Sequence, residues 1–97
     1  MSVLVILELK LKPESVNTLK EMLPAIHPDT RSFAGCQDIT FYSNQDDPQV
    51  FVAAERWESK DAYQKYLAWR TETGVMAKLG SLLTAPPSIR YFDAIDA

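Results

Sequence analysis

The chain has 97 residues, 46% of them hydrophobic and 24% charged, with ten Lys or Arg against thirteen Asp or Glu and a formal net charge of −3. That length suits one domain, residues 1–97, with a single core, and the interspersed charges without a Lys/Arg run speak against disorder and a nucleic-acid footprint. A lone cysteine, Cys36, excludes an intrachain disulfide and fits a reducing compartment.

The opening MSVLVILELK lacks a basic leader region and reaches charge at Glu8. It is too short for a membrane span and unlike a secretory signal, so a soluble cytoplasmic protein is expected. Val3, Val5, Leu7, Leu9 and Leu11 share one face, which predicts a first strand over residues 3–11. Pro13 suits the first turn of a helix. Over residues 14–33, Val16, Leu19, Met22, Leu23, Ile26, Thr30 and Phe33 form one helical stripe. Pro24 and Pro28 fall away from that stripe, and a kink or break is expected near Pro24.

Gly35 reads as a helix-terminating glycine. Cys36–Ser43 alternates as a second strand, the cluster Asn44-Gln45-Asp46-Asp47-Pro48 as a turn, and Val50–Trp57 as its hairpin partner. Ser59 stands as the N-cap of a second helix over residues 59–70, with Asp61 in its first turn. Gly74 interrupts before a shorter helix over 75–83, Pro86-Pro87 stops it, and residues 89–92 make a last strand. The order β-α-β-β-α-β fits an α+β, ferredoxin-like antiparallel sheet with helices on one face. The other face carries Leu4, Ile6 and further apolar residues where a solvated sheet would be polar, which predicts a homodimer of two sheets packed face to face.

Several pieces in order resemble the antibiotic biosynthesis monooxygenase family of small dimeric α+β barrels: Ala34-Gly35-Cys36 after a helix containing Thr30-Arg31, then Glu55-Arg56-Trp57-Glu58-Ser59, then Leu82-Leu83-Thr84-Ala85-Pro86-Pro87 leading into Ile89-Arg90-Tyr91-Phe92. The resemblance implies cofactor-free oxidation of a small aromatic, phenolic or quinol-like substrate, whose anion reacts with dioxygen in a desolvated pocket. It places a site tryptophan at Trp57 and a site tyrosine at Tyr63. The quinone-forming members also carry an asparagine where Ala53 stands here. Haem-degrading relatives ligate iron through a histidine of the second helical region, and residues 59–83 contain none, which speaks against haem. By spacing, Tyr66 stands where many members have a histidine. A non-catalytic binding module and an isomerase of a small carbonyl compound are the other readings.

Trp57, at the strand end, reads either as a π-platform for a planar ligand or as a core plug. Tyr63 and Tyr66, one helical step apart, either turn a hydroxyl into a pocket or cap the sheet. Glu55 shares the parity of Phe51, Ala53 and Trp57; if buried it needs a partner, and Arg90 on the last strand is the candidate, with both also candidates for substrate binding. His27, the only histidine, reads as general base or as a partly exposed surface residue. Arg31 on the same edge would favour a phenolate or lie at the surface. One His and one Cys cannot build a zinc site, and no phosphate-binding glycine loop occurs. The expected partners are therefore a small-molecule substrate, dioxygen and a second copy of the chain, with no cofactor, nucleic acid or membrane.

Overall fold

The structure is a computed structural model that describes residues 2–95. Strand β1 (Val3–Lys10) is followed by a 3-10 turn (Pro13–Ser15), helix α1 (Val16–Ser32), strands β2 (Cys36–Ser43) and β3 (Val50–Trp57), helices α2 (Lys60–Glu72) and α3 (Val75–Ser81), and strand β4 (Ser88–Phe92). The sheet order is β2-β3-β1-β4 with every neighbouring pair antiparallel, the ferredoxin-like arrangement. Among the described residues, no helix is long and apolar enough to cross a membrane.

Strand periodicity sorts the sheet into two faces. Val3, Val5, Leu7 and Leu9 of β1 and Phe51, Ala53, Glu55 and Trp57 of β3 are buried beneath the helices. One end of this core joins Leu7, Leu9, Leu11, Phe51 and Ala53 to Leu19, Leu79 and Leu83; the other joins Val3, Val5 and Trp57 to Tyr63 and Tyr66. In β2, Cys36 pairs with Trp57 but Asp38 with Arg56, so Gln37 is the extra residue of a bulge. The bulge brings Ile39 opposite Glu55 and Phe41 opposite Ala53, both facing inward.

Helix α1 runs from Val16 to Ser32 as one unbroken element with both prolines inside it. Of the kink or break expected near Pro24, the break does not occur. A proline removes the donor to the carbonyl four residues back, here those of Lys20 and Pro24. Both residues are exposed, so water takes the place of the missing donors while the buried stripe of Leu19 and Thr30 is undisturbed. Ser59 caps α2 as expected, its hydroxyl accepting from the Ala62 N–H at 3.1 Å. The helix extends to Glu72, beyond the expected end, and Gly74 at φ 84° separates it from α3. Helix α3 stops at Ser81, two residues earlier than expected, because Leu83 instead bridges to Leu11.

Gly35 closes the turn between α1 and β2 at φ 93°, and its carbonyl accepts from the Glu58 N–H at 2.8 Å. A Cβ built there would lie 2.7 Å from Cβ of Ala62. Gly35→Ala is therefore strained twice, by its backbone angle and by the close approach of α2. It is expected to cost about 2 kcal/mol in urea unfolding, and a change below about 0.5 kcal/mol would show that neither constraint holds.

Candidate functional site

Between the inner sheet face and the three helices lies a cavity of about 50 Å³, counted as the space open to the centre of a water-sized sphere. Its walls are mostly apolar, with Leu7, Ile39 and Phe41 from the sheet and Leu23, Ile26, Leu67 and Met76 from the helices. Six polar side chains interrupt them: His27, Thr30, Glu55, Tyr63, Tyr66 and Arg70. At roughly 10–15 Å³ per water on this measure, the cavity as it stands holds a few waters. A benzene-sized ring enters only if pliable wall side chains such as Met76 yield.

Glu55 reaches the floor because β3 lies between β1 and β2, with Val5 on one side of it and Ile39 on the other. Its side chain is 2% exposed, and the Trp57 indole Nε1–H donates to its Oε1 at 3.1 Å. Burial pushes the carboxyl up to about 7, against the opposing effect of the Trp57 hydrogen bond. The expected partnership with Arg90 is not formed. Arg90 pairs with Ile6 in the β1–β4 register, which turns it to the opposite sheet face, where it is exposed and stacks near the Phe92 ring. Among the described residues the only ion pair is Lys65–Asp61 on the surface of α2. Glu55 is thus a buried carboxyl with one neutral donor and no cation beside it.

Trp57 is fully buried and does not line the cavity. It stands behind the wall as a plug, its ring 5.5 Å from Tyr63 and 5.0 Å from Tyr66 between centroids, and its polar edge holds Glu55. Tyr63 and Tyr66 both reach the cavity from one face of α2. Burial, then the nearby Glu55, holds the Tyr63 hydroxyl well above the usual phenol range, so it stays protonated as a donor.

The Tyr66 hydroxyl is engaged in a network that sequence reading missed. Arg70 Nε donates to it at 2.9 Å, and Arg70 Nη2 donates to the Ile26 carbonyl and to Thr30 Oγ1, each at 2.9 Å. Thr30 Oγ1 lies 2.7 Å from Tyr66 Oη and 3.3 Å from the Ile26 carbonyl. The carbonyl can only accept, so Thr30 donates to Ile26 and Tyr66 donates to Thr30. Arg70 is 4% exposed, and its guanidinium also packs over Trp69 at 4.5 Å. Two signals pointed here: Arg70 stands four residues after Tyr66 on the same helix face, and Thr30 is the polar exception on the apolar stripe of α1.

His27 lines the opposite wall, its ring 5.2 Å from that of Phe41. Its Nε2 is buried and has no hydrogen-bond partner among the described residues. Burial, and secondarily the Arg31 charge, lowers its pKa, which favours the neutral imidazole. Arg31 itself is exposed outside the cavity and reaches the Ile39 carbonyl at 3.5 Å. The cavity therefore gathers His27, Glu55, Tyr63 and Tyr66 of the expected site residues, adds Thr30 and Arg70, and leaves out Trp57, Arg31 and Arg90.

A sequence model of the antibiotic biosynthesis monooxygenase family matches residues 2–71. The chain belongs to that family. No curated protein matches it in sequence. Among solved structures, Rv0793 from Mycobacterium tuberculosis is similar at 26% identity and a TM-score of 0.85, covering 100% of this chain and 98% of its own. A crystal structure of an antibiotic biosynthesis monooxygenase is similar at 21% identity and a TM-score of 0.86, covering 97% and 99%. A monooxygenase from the gene ActVA-Orf6 of Streptomyces coelicolor, solved with nanaomycin D, is similar at 21% identity and a TM-score of 0.81, covering 99% and 89%. The last two share the fold with this family member. Ala53, where the quinone-forming members carry an asparagine, is fully buried between Leu7 and Phe41 and contributes no polar group.

Proposed function

We propose that this family member is a cofactor-independent monooxygenase that oxidises a small aromatic, phenolic or quinol-like substrate with dioxygen in the cavity beneath α1 and α2. Glu55 carries the reading. A carboxyl poised near neutrality in an apolar cavity, with one oxygen held by Trp57, is suited to take a proton from a hydroxyl group. The resulting phenolate gives one electron to dioxygen, and the radical pair recombines to a hydroperoxide. Loss of water then leaves a quinone, so one phenol and one dioxygen become one quinone and one water. In this reading Tyr63 donates a hydrogen bond to the substrate, Tyr66 and His27 bound it, and Trp57 is a positioning residue acting through Glu55. The family match and the nanaomycin D bound to the Streptomyces coelicolor monooxygenase support a small-molecule cavity of this kind.

Oxygen uptake with a panel of naphthols, anthrones and hydroquinones tests the proposal. Stoichiometric consumption with at least one of them is expected, and no uptake with any of them refutes it. The apolar Ala53 favours a second reading in which the same carboxyl shuttles a proton on a small carbonyl compound, or only binds a ligand. Substrate exchange with solvent deuterium without oxygen uptake would select the isomerase; ligand binding with neither would select the binding module.

The active unit in this reading is a homodimer of whole-chain domains, working in the cytoplasm, where Cys36 stays a free thiol. The sheet face away from the helices presents Leu4, Ile6, Val52 and Ala54, half-buried in the single chain, with Tyr42 57% and Phe92 43% exposed. Pairing two such faces removes this apolar surface from water. Sedimentation at micromolar concentration is expected to give twice the 11.0 kDa chain mass. A stable single-chain mass would contradict it.

A further inference from the structure

Arg70 is the charged side chain of the cavity that the proton-transfer reading leaves without a role. Arg70 is 4% exposed, yet among the described residues no carboxylate lies within ion-pair distance of its guanidinium. A buried charge without a counter-ion is costly, and packing alone would be served by an uncharged side chain. Three of its N–H groups are spent on neutral acceptors, Tyr66 Oη, Thr30 Oγ1 and the Ile26 carbonyl, which fix the plane of the group between α1 and α2. The two protons on Nη1 meet no acceptor among the described residues. Arg70 lines the cavity, and its group is held in plane by these neighbours while two charge-bearing donors stay unspent on them.

We propose that Arg70 is the anion-recognition residue of this cavity, and that the chain selects aromatic ligands carrying a carboxylate, one oxygen of which accepts from Nη1. A guanidinium suits this task because it stays charged and, with Nε and Nη2 already spent, still offers a charge-assisted hydrogen bond from Nη1 to an anionic oxygen. Glu55, on the sheet side of the same cavity, cannot fill this role for itself, since it makes no ion pair with Arg70. The inference rests on the proposed site but not on oxygen chemistry, and it narrows the substrate class to phenols that also carry a carboxylate.

Calorimetric titration of the full chain at neutral pH with benzoate and with benzamide tests it, because neither probe is oxidised in the way a phenol would be. Benzoate is expected to bind at least tenfold more tightly than benzamide. Arg70→Gln is expected to abolish that preference, whereas Lys20→Gln, at an exposed position of α1, retains it. Equal binding of the two probes, binding of neither, or a preference that survives Arg70→Gln overturns the proposal. Should Arg70→Gln not fold, the wild-type protein still decides: the guanidinium ¹⁵N resonances of Arg70 should move on adding benzoate and not on adding benzamide, and no movement overturns the assignment. A benzoate preference without oxygen uptake from any phenol keeps Arg70 in its role and removes the monooxygenase reading. Oxygen uptake without the preference does the reverse.

Discussion

Glu55→Gln is expected to remove a large part of the pH dependence of stability. The folded protein holds the Glu55 carboxyl at about 7, above its ordinary value of 4.5, because burial disfavours the charged form. Between those two values the unfolded chain has released the proton and the folded chain has kept it, so stability falls as pH rises. The stabilisation is fully present below the lower value and is lost as pH climbs through the upper one, an effect of roughly 3 kcal/mol. Glutamine occupies the same volume, accepts from the Trp57 N–H and cannot ionise. Denaturant unfolding of both proteins from about pH 4 to about pH 8 should show the gap in favour of Glu55→Gln widening by that amount. His27, whose pKa burial lowers, is present in both proteins, so its contribution cancels in the difference. A gap that stays constant with pH would mean that the folded and unfolded chains hold the Glu55 proton equally well, so that burial does not raise its pKa.

The same residue shows how far the sequence could be read. Strict alternation in β1 and β3 correctly put Glu55 on the buried face with Phe51, Ala53 and Trp57, because a period of two needs no partner strand to define it. Its supposed partner Arg90 was misplaced for a complementary reason. Which face Arg90 takes depends on its register with β1, where it sits opposite Ile6, and register is a property of two strands together. Arg70 is not legible in the sequence because two of its three acceptors lie 40 and 44 residues away, on a helix that meets α2 only in the folded chain. The unbroken α1 makes a related point: a proline in a helix interior costs less where the stranded carbonyl is open to water, and burial follows from packing. Trp57, the most conspicuous residue of the strand–helix joint, lies one layer behind the cavity, since the strand places its ring against Tyr63 and Tyr66 rather than beside the free space.

Glu55→Gln should also lower the oxygen-uptake rate by about 10²-fold or more, the usual contribution of a positioned general base. A phenol near pKa 10 facing a carboxylate near 7 gives up its proton against roughly 4 kcal/mol, a barrier the site can bear at ordinary turnover rates and glutamine cannot lower at all. The base must be ionised to act, so the wild-type kcat/KM should rise with pH through about 7. Trp57→Phe gives the finer test. Losing the indole N–H removes the single donor that favours the Glu55 carboxylate, so that rising limb should move to higher pH while the rate on its plateau changes much less. A purely structural tryptophan would alter stability and leave the position of the limb where it was. If Trp57→Phe leaves the limb unmoved and Glu55→Gln retains full activity, the proton is taken by another group, and His27, whose neutral Nε2 already lies buried and unpartnered at the opposite wall, is the side chain to replace next.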